Sequence, residues 1–222
     1  MDLMEIRRRM LMVGEPDYVK NGLLYHFVSD DSDGQTWTDR ISGLTFTLSG
    51  VSKSQDNGLF FDGHAFGFIP GVQLPKIVTA ELVLSQNARN AIFLFDKKYV
   101  VSDHQNMIRL DNIVFAAYPY PFAPELGEKY VVSGTSKNGE LSTNNSIVYF
   151  DKSRLTGGSN VGTYSRFYDG ISIGGRLTAQ GQLRDYALKG ALYQIRLYSR
   201  DLTEQEILHN QNVDFKKYGI IA

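Results

Sequence analysis

Alternating segments separated by turn residues make this an all-β sequence, a sandwich or barrel of many short strands. Three observations predict it. Apolar and polar residues alternate over short runs. Clusters of Gly, Asn, Asp and Ser separate those runs. No long helical pattern intervenes between them, which argues against parallel βαβ architectures. With 222 residues the chain suits one large all-β domain as well as two small ones. It is long enough to bury roughly 70% of the surface of its unfolded chain.

In chain order, the first element is an arm. Leu3, Ile6, Met10 and Val13 fall at spacings of three, four and three, the a/d seam of a coiled coil. An isolated helix of that length barely forms in water, so the seam has two readings. It is an arm that docks on a larger assembly or knits copies into an oligomer, or a short helix packed on its own domain. Pro16 disfavours helix at Glu15 and ends the segment. From Asn21 the pattern is β-like. Strands are predicted at Gly22–Val28, Leu44–Leu48, Gly58–Phe61, Phe66–Ile69, Val78–Ser85, Ala91–Phe95, Tyr99–Ser102, Met107–Leu110, Ile113–Tyr118, Lys129–Ser133, Ser146–Phe150, Ile171–Ile173 and Leu188–Tyr198. Two connections are long: Ala117–Glu128, rich in aromatic rings and proline, and Asp151–Asp169, rich in Gly, Ser and Asn. Loops of that length in a compact domain are commonly functional or mobile.

The final strand is the most informative. Tyr193, Ile195 and Leu197 alternate with Gln194 and Arg196, the period of a strand with one wet face. Thr203-Glu204-Gln205-Glu206 then forms a capping box, with Leu202 and Ile207 at the positions of a hydrophobic staple. A buried strand therefore runs into a helix of about two turns. The organisation predicted is an arm over residues 1–17, a β domain over 18–212 and a tail over 213–222.

Gly190, Ile195, Arg196, Leu197, Tyr198, Arg200, Leu202, Thr203, Glu206 and Ile207 fit the pattern G-x-[IL]-x-x-[IV]-R-[IL]-Y-x-R-x-L-[ST]-x-x-E-I. On these residues the run resembles the closing strand of laminin-G-like, concanavalin A-like jelly rolls. Asn21–Phe27 resembles the family's opening strand, Gly58–Gly63 its G-x-x-F-D-G strand and Ile171–Gly175 its late L-x-I-G strand, in family order. The resemblance implies a two-sheet antiparallel jelly roll whose first and last strands are neighbours near the middle of one sheet. A short C-terminal helix and a helical N-terminal arm complete that expectation. Met1–Gly14 and Asn212–Ile220 further resemble laminin-G-type proteins of bacteriophage and prophage structural regions. Such a fold hosts sugar binding, protein binding and structural parts of viruses and cell surfaces.

Composition narrows the classes. A formal net charge of −1 and a pI near 6.4 give no basic nucleic-acid surface. There are no cysteines, so neither disulfides nor a thiolate zinc site arise. Arg7-Arg8-Arg9 interrupts Met1–Met12 where the apolar core of a signal peptide would lie. No run is long enough to span a bilayer as a helix. If the chain is phage-encoded, the expected setting is a virion, its part made in the bacterial cytoplasm and released by lysis; a signal sequence already removed is the other route out of the cell.

Three classes of chemistry bear on these residues. Glucanases on this fold place catalytic carboxylates on alternate residues of one strand, about 5 Å apart for retaining chemistry, and the sequence has no such run. Glu125 and Glu128 are the closest spacing, in a proline-rich loop, while Glu204 and Glu206 belong to a helix cap. His26, His64, His104 and His209 are scattered, with His64 read as a turn residue. For metal, the family resemblance implies Ca²⁺ held by carboxylates and loop carbonyls. Asp30, Asp31 and Asp33 form the densest acidic loop, with Asp169 as an isolated candidate; a solvated turn is the plainer reading. For sugars, an aromatic ring stacks on a pyranose face while Asn, Asp and Arg fix hydroxyls. Tyr118, Tyr120 and Phe122 form one loop cluster, and Tyr164, Arg166 and Tyr168 another. The alternative is that these rings cover the end of the sandwich. Trp37 is read as packing, Asp39 as a turn residue, and Arg196 and Arg200 as structural partners of carboxylates such as Glu206.

The function expected is a non-enzymatic recognition or structural module, a phage or prophage virion protein that binds cell-surface carbohydrate or decorates the particle. Its expected partners are glycan, other virion proteins through the arm, and further copies of itself. A carbohydrate-active enzyme or its accessory binding module is the alternative, and a purely structural assembly protein the third reading.

Overall fold

The computed structural model describes residues 17–72, 75, 77–88, 91–95, 100–104, 107–110, 113–114, 125–136, 146–155, 170–178, 180–185 and 187–221. The arm positions Leu3, Ile6, Met10 and Val13 lie outside them. The first strands are β1 (Leu23–Val28), β2 (Thr36–Thr38), β3 (Thr45–Ser49), β4 (Ser52–Lys53), β5 (Leu59–Asp62) and β6 (Phe66–Pro70). Next come β7 (Thr79–Gln86), β8 (Ala91–Phe95), β9 (Val100–His104), β10 (Met107–Leu110), β11 (Ile113–Val114) and β12 (Lys129–Ser136). The last are β13 (Ser146–Phe150), β14 (Ser153–Leu155), β15 (Gly170–Ile173), β16 (Arg176–Leu177), β17 (Leu183–Asp185) and β18 (Lys189–Tyr198), followed by helix α1 (Glu204–Tyr218). The strands that sequence reading passed over, β2, β4, β14, β16 and β17, are two or three residues long, too short for alternation to register.

All strands but β16 and β17, which pair with each other in a separate two-stranded sheet, form a two-sheet antiparallel sandwich. The first sheet runs β14-β13-β12-β7-β18-β5-β4, with β1 also paired to β18; the second runs β11-β10-β9-β8-β15-β6-β3-β2. The predicted neighbourhood of first and last strands holds. β18 is paired along one edge with β7; on its other edge Lys189–Leu192 meet β5 and Gln194–Tyr198 meet β1. Between the sheets Phe27, Trp37, Phe46, Leu59, Phe61, Leu82, Leu84, Ile171, Ile173, Leu192, Ile195 and Leu197 make one buried cluster.

Trp37 packs as expected: it is fully buried against Phe27, and its indole N–H donates to the Val28 carbonyl at 2.7 Å. Asp39 is a turn residue with longer reach than expected. It accepts from the backbone N–H of Ser42 and of His26, both at 2.5 Å, which ties the turn to β1. The signature glycine Gly190 is explained by close approach, since a Cβ there would lie 2.0 Å from the Ser85 carbonyl oxygen on β7.

Two expectations about the closing strand are corrected. A β-bulge falls between Leu192 and Gln194, and a bulged pair places one extra residue on one face. Tyr193 therefore leaves the inter-sheet face and joins Val83, Val131, Ala191 and Phe215 on the outer side. The face carrying Gln194 and Arg196 is not wet either, because both side chains are buried. What covers them is α1, which spans 15 residues, about four turns, and takes in Val213–Tyr218 of the expected tail. Its start is the predicted capping box: Thr203 Oγ1 accepts from the Glu206 N–H at 3.3 Å and Glu206 accepts from the Thr203 N–H at 2.9 Å. Leu202 and Ile207 are buried in one cluster, as a staple requires. Gly219, at φ 66°, ends the helix in the left-handed conformation.

Candidate functional site

Each sheet has an outer face, and the two are treated differently. On the first sheet, residues paired across β14, β13, β12, β7, β18 and β1 form one row: Arg154, Tyr149, Ser133, Glu81, Arg196 and His26. Helix α1 lies over the middle of that row. The Arg196 guanidinium donates to Glu81 at 2.8 Å and to both oxygens of Asp214 at 2.8 and 2.5 Å. Tyr18 and Gln194 also donate to Asp214, both at 2.9 Å. Asn210 donates to Glu81 at 2.8 Å and to the Tyr198 oxygen at 3.0 Å. Gln211 donates to Ser133 at 3.0 Å. The Tyr18 ring lies 4.1 Å from the guanidinium carbon. Arg196, expected beside carboxylates such as Glu206, pairs instead with two carboxylates distant in sequence. Arg200 does pair with Glu206, at 2.9 and 2.6 Å.

The electrostatics follow from burial. Desolvation pushes the Glu81 carboxyl up, against the pull of Arg196. Desolvation works against the Arg196 charge too, yet Asp214 and Glu81 hold its pKa well above normal. His26 is pushed down to about 3, first by burial and then by Arg196, so it is neutral. Glu81 and Asp214 flank one guanidinium and are fully buried between the first sheet and α1. That is the environment of a structural ion cluster, and it leaves no sugar bond to cleave between them.

The outer face of the second sheet is different. Thr36, Thr47, Phe68 and Ser172 pair directly across β2, β3, β6 and β15, and Phe66 pairs with Ser49 one step along. The inward positions between them are Trp37, Phe46, Leu48, Gly67 and Ile173; a Cβ on Gly67 would lie 2.7 Å from Ile173. Phe66 and Phe68 are thereby turned outward, half-buried, with ring centroids 6.0 Å apart. Thr45, Thr47 and Ser49 are exposed beside them. The result is two aromatic rings set among hydroxyl side chains. The sequence predicts a strand at Phe66–Ile69 without its outward rings; the signal for them is the glycine between two phenylalanines.

The loop candidates Tyr118, Tyr120, Phe122, Tyr164, Arg166, Tyr168 and Asp169 lie outside the described residues. Of the acidic loop, Asp31 forms a two-point ion pair with Arg40, one contact at 2.9 Å. Asp33 accepts from the N–H groups of Gln35 and Thr36 at 2.8 and 2.6 Å, and those bonds hold its carboxyl below the usual range. Asp30 is exposed next to them. The loop is thus a hydrogen-bonded turn, and among the described residues no group of three or more His, Asp or Glu side chains is placed to hold a metal. His64 is a turn residue as read, its N–H bonded to Asp62 at 2.7 Å. His209 Nε2 lies 2.6 Å from the Asp17 carbonyl oxygen and fastens the start of the domain to α1. Glu125 and Glu128 are exposed within one turn. Among the described residues no helix is long and apolar enough to cross a membrane.

No family model and no curated protein matches the chain. Solved structures do. Trypanosoma rangeli sialidase in complex with 2,3-difluorosialic acid superposes with a TM-score of 0.62 at 15% identity, over 96% of this chain and 38% of that one. A mutant of the same sialidase displaying trans-sialidase activity gives 0.60 at 13% identity, over 99% and 38%. Domain 4 of AbnA, a GH43 extracellular arabinanase from Geobacillus stearothermophilus, in complex with arabinotriose, gives 0.57 at 13% identity, over 86% of this chain and 98% of that one. The chain therefore spans less than two fifths of the sialidases it matches and nearly the whole of the arabinanase domain. At these identities the likeness is one of fold, a β-sandwich that recurs in carbohydrate-related proteins. The laminin-G resemblance and the virion setting gain no support from these neighbours.

Proposed function

We propose that the chain is a non-catalytic carbohydrate-binding module that takes a glycan on the outer face of its second sheet. The observation that carries this reading is the outward pair Phe66 and Phe68, flanked by the exposed Thr45, Thr47 and Ser49. A sugar ring has an apolar C–H face and a rim of hydroxyls, and outward aromatic rings beside small hydroxyl side chains match both. The arabinanase domain crystallised with arabinotriose supports the reading, because it is a separate domain of the same fold with a sugar bound. The enzymatic alternative has less behind it: the carboxylates brought together at Arg196 are buried under α1. The oligomeric virion part remains a proposal that rests on the arm.

The test is a glycan panel against the intact chain, with calcium and then with EDTA, repeated on Phe66→Ala/Phe68→Ala. Binding that survives EDTA and weakens about tenfold or more in the double variant is expected, since each ring contributes on the order of 1 kcal/mol. A panel with no binder, or equal binding by the double variant, removes the reading. Hydrolysis of any panel member removes the non-catalytic part.

A further inference from the structure

The open face of the second sheet is more regular than two outward rings require. Phe68 pairs with Thr47 and Phe66 with Ser49 across β6 and β3. Each ring therefore has one hydroxyl side chain directly beside it, with Cβ atoms about 5 Å apart. The two pairs are related by a step of two residues along the same two strands, about 7 Å at the rise of a strand. The ring centroids follow that step, 6.0 Å apart. The hydroxyls of this face differ in what already holds them. Thr45 donates to the Gly43 carbonyl at 3.1 Å and lies 3.0 Å from the Thr38 hydroxyl. Thr36 donates to Asp33 at 3.1 Å, and Ser172 to the Gly175 carbonyl at 2.8 Å. Among the hydroxyl side chains of β2, β3, β6 and β15, all of them described, those of Thr47 and Ser49 alone have no hydrogen-bond partner. Both are exposed. The four strands, neighbours in the sheet, contain no Asp, Glu, Lys or Arg.

We infer that this face takes a linear, neutral oligosaccharide along its length, with consecutive sugars on the Phe68–Thr47 and Phe66–Ser49 pairs. The inference rests on the reading of the face as a glycan site and adds the class of glycan. A site that repeats selects a ligand that repeats. One sugar lays its C–H face on one phenyl ring, and a hydroxyl at its rim reaches the Thr or Ser at the side. The second pair is then left for the next sugar of the chain. The chain runs with β3 and β6, because across the sheet the next hydroxyls are engaged, and that of Ser172 is also buried. Neutrality follows from the same residues. A Ser or Thr hydroxyl both donates and accepts, as a sugar hydroxyl does. A sugar carboxylate loses water over strands that offer it no opposite charge.

Residue-resolved NMR titration of the intact chain tests it with matched probes of one and two sugars. These are methyl glucoside and cellobiose, methyl xyloside and xylobiose, and methyl arabinofuranoside and arabinobiose, with digalacturonic acid as the charged control. At least one neutral disaccharide is expected to shift the amides of Thr47, Ser49, Phe66 and Phe68 together. It should bind about fivefold or more tightly than its methyl glycoside. Phe66→Ala and Phe68→Ala should each cost that disaccharide about fivefold and the methyl glycoside no more than about twofold, since either pair still takes one sugar. The rings are half-buried, so Thr47→Ala/Ser49→Ala, at exposed positions whose hydroxyls bond nothing in the fold, gives a second measurement. A loss of about threefold or more on the same disaccharide is expected there, and unchanged affinity overturns the pairing of ring with hydroxyl. Equal affinity for one sugar and two overturns the linear ligand and leaves the face a glycan site. Tighter binding of digalacturonic acid than of every neutral disaccharide overturns the neutrality and likewise leaves the glycan reading standing. No shift at these four residues from any sugar removes both.

Discussion

The two outer faces are built by the same rule and end in opposite states. Both carry polar side chains at positions paired across neighbouring strands. On the first sheet a helix lies over them, and Arg196, Glu81, Asp214, Asn210 and Gln211 are all buried and hydrogen-bonded. On the second sheet the described strands leave Thr45, Thr47 and Ser49 exposed beside Phe66 and Phe68. The difference teaches that polarity on a strand does not decide exposure. The buried row is held by partners at Arg196, Glu81 and Ser133, because an unpartnered group there costs about 1–3 kcal/mol, while the His26 Nε2 is buried with no hydrogen-bond partner among the described residues.

The largest break in this comparison is Arg196→Ala. It strands two carboxylates under the helix and should cost about 3–5 kcal/mol, the loss for one partner of a buried ion pair, measured by urea unfolding. The triple change Arg196→Met/Glu81→Met/Asp214→Leu should recover part of that loss and no more, since Tyr18, Gln194 and Asn210 lose their carboxylate acceptors. If it recovers none, the network contributes more than mutual cancellation of charge.

Acid sharpens the comparison next. The folded state holds His26 down to about 3, mainly by burial, so it refuses a proton that the unfolded chain takes up near 6.5. Its contribution is whole above about pH 6.5 and drains as pH falls towards 3, by a few kcal/mol. Glu206, held at about 2 chiefly by Arg200, loses its contribution as pH falls from its unfolded value through that folded value. The difference between the parent chain and His26→Gln isolates the histidine: the variant should lose the slope between pH 6.5 and 4.

The same deletion on the two faces should then give unequal results. Ser133→Ala removes a hydroxyl bonded to Gln211 and Glu81 and should cost about 1–2 kcal/mol. Thr47→Val on the open face should change stability by less than about 0.5 kcal/mol. Equal costs would mean that the second face is covered as well. A further substitution tests the edge of the cover. Thr203→Ala removes the cap of α1 and should cost about 1 kcal/mol, and native-state hydrogen exchange should quicken first at the helix start.

Much of the β framework was legible because alternation and turn residues are local signals. The capping box was legible for the same reason: Thr203 and Glu206 sit one turn apart. Arg196 was misread because alternation assigns a residue to a side of the sheet without saying what lies over that side. Its partners Glu81 and Asp214 are on β7 and α1, far from it in sequence. The length of α1 was hidden by its buried stripe. Ile207, Asn210, Gln211, Asp214 and Phe215 keep helical spacing, yet the middle three are polar and give no hydrophobic period. The bulge after Leu192 moved Tyr193 to the other face, which no local signal announces. At the candidate site the sequence pointed to rings in loops, while the described rings that face outward sit within a strand. Gly67 explains the miss, because it fills an inward position where Leu48 and Ile173 already occupy the space.

The place of β18 has a consequence for the order of synthesis. This strand, last of the sandwich, is the one on which β1, β5 and β7 all converge. Until it leaves the ribosome, β1 has no partner within the first sheet and β5 has only β4. Their unpaired edges must wait through most of translation, a state prone to association with other chains. Folding is then a late, long-range closure and slow for the chain's size. A nascent chain stopped before Lys189 should remain bound to chaperones, whereas one released after Tyr218 should close in a single step.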